Sequence, residues 1–176
     1  MRIALIYRWC IVLMLGLVAQ PILAQGQKNS RRNENYTPTM KGTPGYYDKT
    51  VRHLFRQGLW GTGKKLLDEG LSKYETLSAL NELMGSYWLH YKKYDKARYF
   101  LIRSLRDDNK NPQTLQMLMK VEEMTQHYSS AIVYCNQLLE LAPYEYTLWR
   151  KKIELYRLQG NNVEAIKMLK RLGEIY

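Results

Sequence analysis

The amino-acid sequence predicts an all-α fold, a right-handed solenoid of about four stacked helix-turn-helix repeats. Three observations carry that expectation. The small residues Gly63, Ala97, Ala131 and Ala165 follow one another at intervals of 34 residues, and a fixed period of that length marks stacked helical hairpins. Apolar residues step by three and four, as in Leu115, Leu118 and Met119 or Ala131, Tyr134, Cys135, Leu138 and Leu139, which is the spacing of one helix face and not of a strand. Breakers fall at a repeat boundary: Asp107-Asp108-Asn109-Lys110-Asn111-Pro112 offers Asn111 as an N-cap and Pro112 as the first helical residue.

Taken in order, the chain begins with a segment of another kind. Arg2 and Arg8 flank a basic start, Trp9 to Val18 is apolar, and Pro21-Ile22-Leu23-Ala24 ends in a small residue, the layout of a signal peptide cleaved after Ala24. The apolar stretch is too short to span a bilayer, which takes about 20 residues, so no transmembrane span is expected after cleavage. Cys10 follows Tyr7-Arg8-Trp9, unlike a lipoprotein acceptor. Residues 25–43 are polar with no apolar face and predict a flexible linker. Within it, Asn35-Tyr36-Thr37 matches a glycosylation acceptor with Pro38 directly after it.

Setting the small residue at position 20 divides the remainder into repeats over 44–77, 78–111, 112–145 and 146–176. Position 15 then reads Gly58, Lys92, Gln126 and Gly160, position 17 Trp60, Tyr94, Tyr128 and Asn162, and position 24 Leu67, Leu101, Cys135 and Leu169. A small residue at position 20 lets the second helix of a hairpin approach the first, while larger side chains fill the space between them. Gln159-Gly160-Asn161-Asn162 reads as the turn inside the last hairpin.

With Trp149 and Tyr156 at positions 4 and 11 of the last repeat, Met84, Gly85 and Trp88 at 7, 8 and 11 of the second, and Pro143 at 32 of the third, residues 44–176 resemble the tetratricopeptide repeat (TPR) family. The first repeat is degenerate, with Gly63 where Ala is usual and Val51 where Gly is usual. The third has Glu122 in place of Tyr, and the second has Asn109 in place of Pro.

The formal charge is +11 with pI about 9.6, and loss of residues 1–24 removes Arg2 and Arg8 to leave +9. Such a balance draws anionic partners of many kinds. Basic residues are spread over Lys92, Lys93, Lys96, Arg98 and Arg103 and over Lys151, Lys152, Lys167, Lys170 and Arg171, a broad field and not a tight pocket. Tyr87, Trp88, Tyr91, Tyr94 and Tyr99 lie among these charges as on a base-stacking platform. Repeat phase takes Trp88 and Tyr94 into the core, so nucleic acid is not expected as a partner. Cys135 alone would survive cleavage, and one cysteine closes no internal disulfide.

No chemistry-bearing motif holds together. Gly58-Leu59-Trp60-Gly61-Thr62-Gly63-Lys64-Lys65 imitates a phosphate loop, yet Lys65 stands where Ser or Thr binds magnesium and Val51 to Gln57 reads as helix where a strand is required. His53, His90 and His127 share neither repeat phase nor ligand spacing. Glu122-Glu123 are neighbours that point in different directions on a helix, and Asp107-Asp108 fits a turn. No catalytic residue, metal ligand or cofactor site is expected.

The resemblance implies a concave groove lined by positions 2, 5, 9, 12 and 13 of the first helices. Those positions hold Asp48, Arg52, Phe55 and Arg56, then Glu82, Ser86, Leu89 and His90, then Gln113, Gln116, Lys120, Glu123 and Met124, then Thr147, Arg150, Glu154, Arg157 and Leu158. The family's carboxylate clamp is absent, its places being taken by Asp48, Arg52, Leu83, Gln113 and Met117. The expected ligand is a protein segment, with Phe55, Leu89 and Leu158 as apolar contacts and Arg52, Arg56, Lys120, Arg150 and Arg157 favouring acidic neighbours. Ile166, Leu169, Leu172 and Ile175 leave the last hairpin with an apolar side, which predicts further repeats beyond Tyr176 or end-to-end self-association. Together these readings describe a non-enzymatic scaffold, exported to the periplasm or cell surface. The alternative is a basic surface that binds acidic glycans or membrane headgroups.

Overall fold

The computed structural model describes residues 40–175. The expected signal peptide and the linker before residue 40 lie outside them, as do Cys10 and the Asn35 acceptor. The end of the linker segment is a turn: Thr43 Oγ1 donates to the Met40 carbonyl at 2.7 Å, and the Tyr74 hydroxyl donates to the Gly42 carbonyl at 3.0 Å.

Four hairpins follow, all helical. Their first helices are α1 (Pro44–Arg56), α3 (Ser78–His90), α5 (Pro112–Met124) and α7 (Tyr146–Leu158), and their second helices are α2 (Trp60–Lys73), α4 (Tyr94–Asp107), α6 (Tyr128–Leu141) and α8 (Asn162–Ile175). Each helix starts 34 residues after its counterpart in the preceding hairpin. The period therefore belongs to the backbone as well as to the small residues. Among the described residues no helix is long and apolar enough to cross a membrane.

Local chemistry sets where the helices begin. Pro44 and Pro112 occupy first-turn positions where no amide bond is lost, behind Thr43 and Asn111, whose side chains accept from the Tyr46 amide and from the Gln113 and Thr114 amides. Inside each hairpin the chain reverses through a left-handed residue at position 15: Gly58 (φ 76°), Lys92 (φ 56°), Gln126 (φ 63°) and Gly160 (φ 80°). The phosphate-loop imitation is dissolved by this geometry, since Gly58 is the turn and Gly63 is buried within α2.

Packing explains the repeat positions. Leu67, Leu101 and Cys135 at position 24 are fully buried, as are Ala97 and Ala131 at position 20. Gly63 replaces Ala because a methyl group there would lie 2.5 Å from the Phe55 ring. The same exchange of bulk occurs in the second hairpin, where Leu101 occupies the space a side chain on Gly85 would need.

Neighbouring first helices also touch directly, α1 beside α3 and α3 beside α5, while second helices meet their counterparts across an intervening first helix. The first helices thus form the more closely spaced layer. That spacing makes their outer face the inside of the curve.

Candidate functional site

The candidate groove lies along the first helices, and its charged side chains divide into paired and unpaired sets. Arg52 belongs to the first set. Its Nε donates to Asp48 Oδ1 at 2.7 Å, and its Nη2 sits 3.0 Å from Glu82 Oε1 in a charge contact off the line a hydrogen bond needs. Burial alone would lower the Arg52 pKa, but the two carboxylates outweigh it and hold the pKa raised. Glu82 is 2% exposed and accepts from Thr114 Oγ1 at 3.2 Å. Thr114 and Ser104 hydroxyls lie 3.3 Å apart, and Ser78 Oγ donates to the Ser104 carbonyl at 2.9 Å. A polar thread therefore joins the first three hairpins.

Two of the expected contacts are thereby reassigned. Glu82 is an internal strut, because its carboxylate is enclosed between Arg52 and Thr114. Phe55 is a core residue at 8% exposure, stacked on Trp60 at a centroid distance of 4.5 Å and seated over Gly63. It still forms the floor of a cleft of about 430 Å³ with Arg52, Arg56, Trp60, Ser86 and Gln113. Trp60, which the groove positions do not include, closes this end by stacking on exposed His90 at 3.9 Å. The aromatic residue recurring at position 17 was its only signal in the sequence.

Lys151 is the second charged centre that the groove positions miss. Its Nζ donates to Glu123 Oε1 at 3.1 Å and lies 2.9 Å from Glu154 Oε2, joining α5 to α7. Burial lowers the Lys151 pKa, and hydrogen bonds to Glu154 and Glu123 more than restore it, leaving it raised. The basic field is depleted in the same way, with Arg98 paired to Glu122, Arg103 to Glu75 and Lys167 to Glu164.

What remains on the surface is Arg56, Gln116, Lys120, Met124, Thr147, Arg150 and Arg157, all exposed. Leu158 is 48% exposed, whereas Leu89 is half-buried against the central core. Arg150 lies over the Tyr146 ring at 5.8 Å. It helps to line a larger cleft of about 830 Å³ with Glu154, Arg157, Leu158, Leu169 and Leu172. Both clefts are open and rimmed by cations. They lack the converging polar groups of an enclosed small-molecule site.

No protein family model matches the sequence, and no curated protein sequence does. Solved structures do match the fold. MamA AMB-1 superposes with a TM-score of 0.65 at 20% identity, over 76% of this chain and 79% of that one. A crystal structure of MamA protein gives 0.68 at 16% identity over 76% and 73%. The MamA RS-1 ArsTM double mutant gives 0.67 at 14% identity over 92% of each chain. Identities this low carry the fold alone: a TPR-like solenoid of helical hairpins.

Proposed function

We propose that this protein is a non-enzymatic scaffold that captures extended or helical protein segments along the α1, α3, α5 and α7 face. The observation that carries the reading is the row of exposed cations Arg56, Lys120, Arg150 and Arg157, in no ion pair among the described residues, on the inner layer of a TPR-like solenoid, with clefts at both ends to receive side chains. An acidic segment with apolar anchors complements that surface. The likeness to MamA supports a repeat fold suited to holding other chains. Export to the periplasm or cell surface rests on the basic, apolar and small-residue order of residues 1–24.

The test is crosslinking capture from a cell-envelope extract, with mass spectrometry of the bound species. Wild type is compared with an Arg56→Glu, Arg150→Glu, Arg157→Glu variant, Arg52 being left intact because it neutralises buried Glu82. A small reproducible set of proteins lost in the variant is the expected result. An unchanged set would place the interface elsewhere, and salt-sensitive capture of glycans or lipids would transfer the function to the basic surface.

A further inference from the structure

Three seams inside the solenoid show what a helix must carry to sit on a preceding hairpin. The α7 helix lies on the third hairpin with Leu148 and Leu155 at 9% and 0% exposure, and Cys135 Sγ donates to the Leu148 carbonyl at 3.4 Å. These are positions 3 and 10 of the repeat. Position 7 between them is Met84 in α3 and Leu118 in α5, at 3% and 0% exposure, and the half-buried Lys152 in α7, so two of the three seams carry an apolar residue there.

Position 6 of the arriving helix faces position 12 of the helix it joins. At the first seam Leu83 and Phe55 share one apolar cluster, at the second Met117 and Leu89 share another, and at the third Lys151 bonds Glu123 at 3.1 Å. Every seam is matched, apolar with apolar or cation with anion.

The outer face of α8 repeats the apolar part of this surface without a helix on it among the described residues. Leu169 occupies the place of buried Leu67, Leu101 and Cys135, yet it is 52% exposed, and Ile166 is 57% exposed where Ile132 is 7%. Position 12 of this hairpin is Arg157, exposed and in no ion pair among the described residues. The geometry points to a docking surface on Leu169, Ile166 and Arg157 for an amphipathic helix of another protein. That helix carries apolar residues stepping four and then three, with a carboxylate immediately before the middle one.

The occupant is not a second copy of this chain. Its α1 helix would bring Tyr46, Thr50 and His53 to positions 3, 7 and 10 and Lys49 to position 6, setting a cation against Arg157. Two α8 faces meeting each other would oppose Lys167, Lys170 and Arg171 with themselves. This surface is distinct from the capture of extended segments along α1, α3 and α5, and it overlaps the cleft at the α7 end at Arg157 and Leu169.

The probe is a fluorescent peptide of the α7 sequence, Tyr146–Leu158 with Lys152→Leu to complete the apolar face and Lys151→Glu, stapled on its solvent face, with helicity checked by circular dichroism. Fluorescence anisotropy against the full chain compares it with the same Lys152→Leu peptide that keeps Lys151. The Glu peptide binds roughly five-fold more tightly, the scale on which one exposed attraction replaces one repulsion. Arg157→Glu in the full chain inverts the order, Leu169→Asp abolishes binding of both peptides, and Arg56→Glu, which belongs to the groove alone, changes neither. A helical Glu peptide that does not bind would overturn the proposal, as would a preference indifferent to Arg157→Glu. Sedimentation of the chain as a dimer that Leu169→Asp disperses would assign the face to self-association instead.

Discussion

Arg98 grips Glu122 across the boundary between the second and third hairpins, its Nε donating to Oε1 at 2.6 Å and its Nη2 to Oε2 at 3.2 Å. The carboxylate is 4% exposed and stands at position 11, where the second and fourth hairpins carry Trp88 and Tyr156. The guanidinium also reaches Thr125 Oγ1 at 3.0 Å and Asp95 Oδ1 at 2.9 Å. An acid has thus replaced an aromatic side chain, and an arginine from the neighbouring hairpin makes the replacement tolerable.

Removing only one partner strands a buried charge, which is more costly than the pair is stabilising. Arg98→Ala should lower unfolding stability by about 2–3 kcal/mol, less than for a fully enclosed pair because the arginine is partly in water. The double variant Arg98→Met, Glu122→Tyr should recover most of that loss by restoring the aromatic filling that the second and fourth hairpins have at this position. Urea unfolding of the two variants and wild type checks both statements. A double variant no more stable than Arg98→Ala would show that this site cannot accept the ring.

The four position-15 turns support a second prediction. Two hold Gly at positive φ, while Lys92 and Gln126 adopt the same left-handed backbone with exposed side chains. Their amides donate to Leu89 and Glu123 carbonyls at 3.0 Å each, bonds that any residue type keeps. Lys92→Gly and Gln126→Gly should each raise stability by about 0.5–1 kcal/mol, the relief of the Cβ clash exceeding the added freedom of the unfolded chain. Gly160→Ala should cost about 1 kcal/mol by the same argument reversed. Thermal melts resolve these differences, and a loss of stability in both glycine variants would rule out strain at the turns.

Which parts of the molecule can be read from sequence follows from how far apart the cooperating residues lie. The hairpins were legible because Gly63, Ala97, Ala131 and Ala165 recur at one spacing and pack against their own hairpin. The Asn111-Pro112 start and the Gly160 turn were legible because capping and left-handed backbone are decided within a few residues. Glu82 and Glu122 were not, since a glutamate on a helix reads as solvent-facing until its arginine, one repeat away, is known. Phe55 misleads for a related reason: it has the phase of a groove contact, but Gly63 leaves a hollow that draws its ring inward. The basic field overstates itself in the same way, because the sum of charges does not reveal that Arg98, Arg103 and Lys151 are already paired.

Cys135 permits a prediction in which pH decides the outcome. It is fully buried at position 24 beneath α7, and burial pushes its thiol up to about 11, the nearby charges of Lys152 and Lys151 offsetting this only in part. Only the thiolate attacks disulfides and alkylating agents. At pH 8 about one molecule in a thousand would be ionised even if reagent had access, as three pH units below the pKa require. In a Cys10→Ser variant, native protein at pH 8 should leave Cys135 unmodified by an aromatic disulfide reagent, and denaturant should expose one full equivalent. The folded pKa is raised above the ordinary thiol value, so native stability at this site falls as pH rises through the unfolded thiol's range near 8.5, where only the unfolded chain gains from ionising. The unfolding midpoint should therefore decline between pH 8 and pH 10 in Cys10→Ser, and decline less once Cys135→Ala is added. Fast labelling of native Cys135 at pH 8 would show instead that α7 opens from the third hairpin far more often than its buried Leu148 and Leu155 imply.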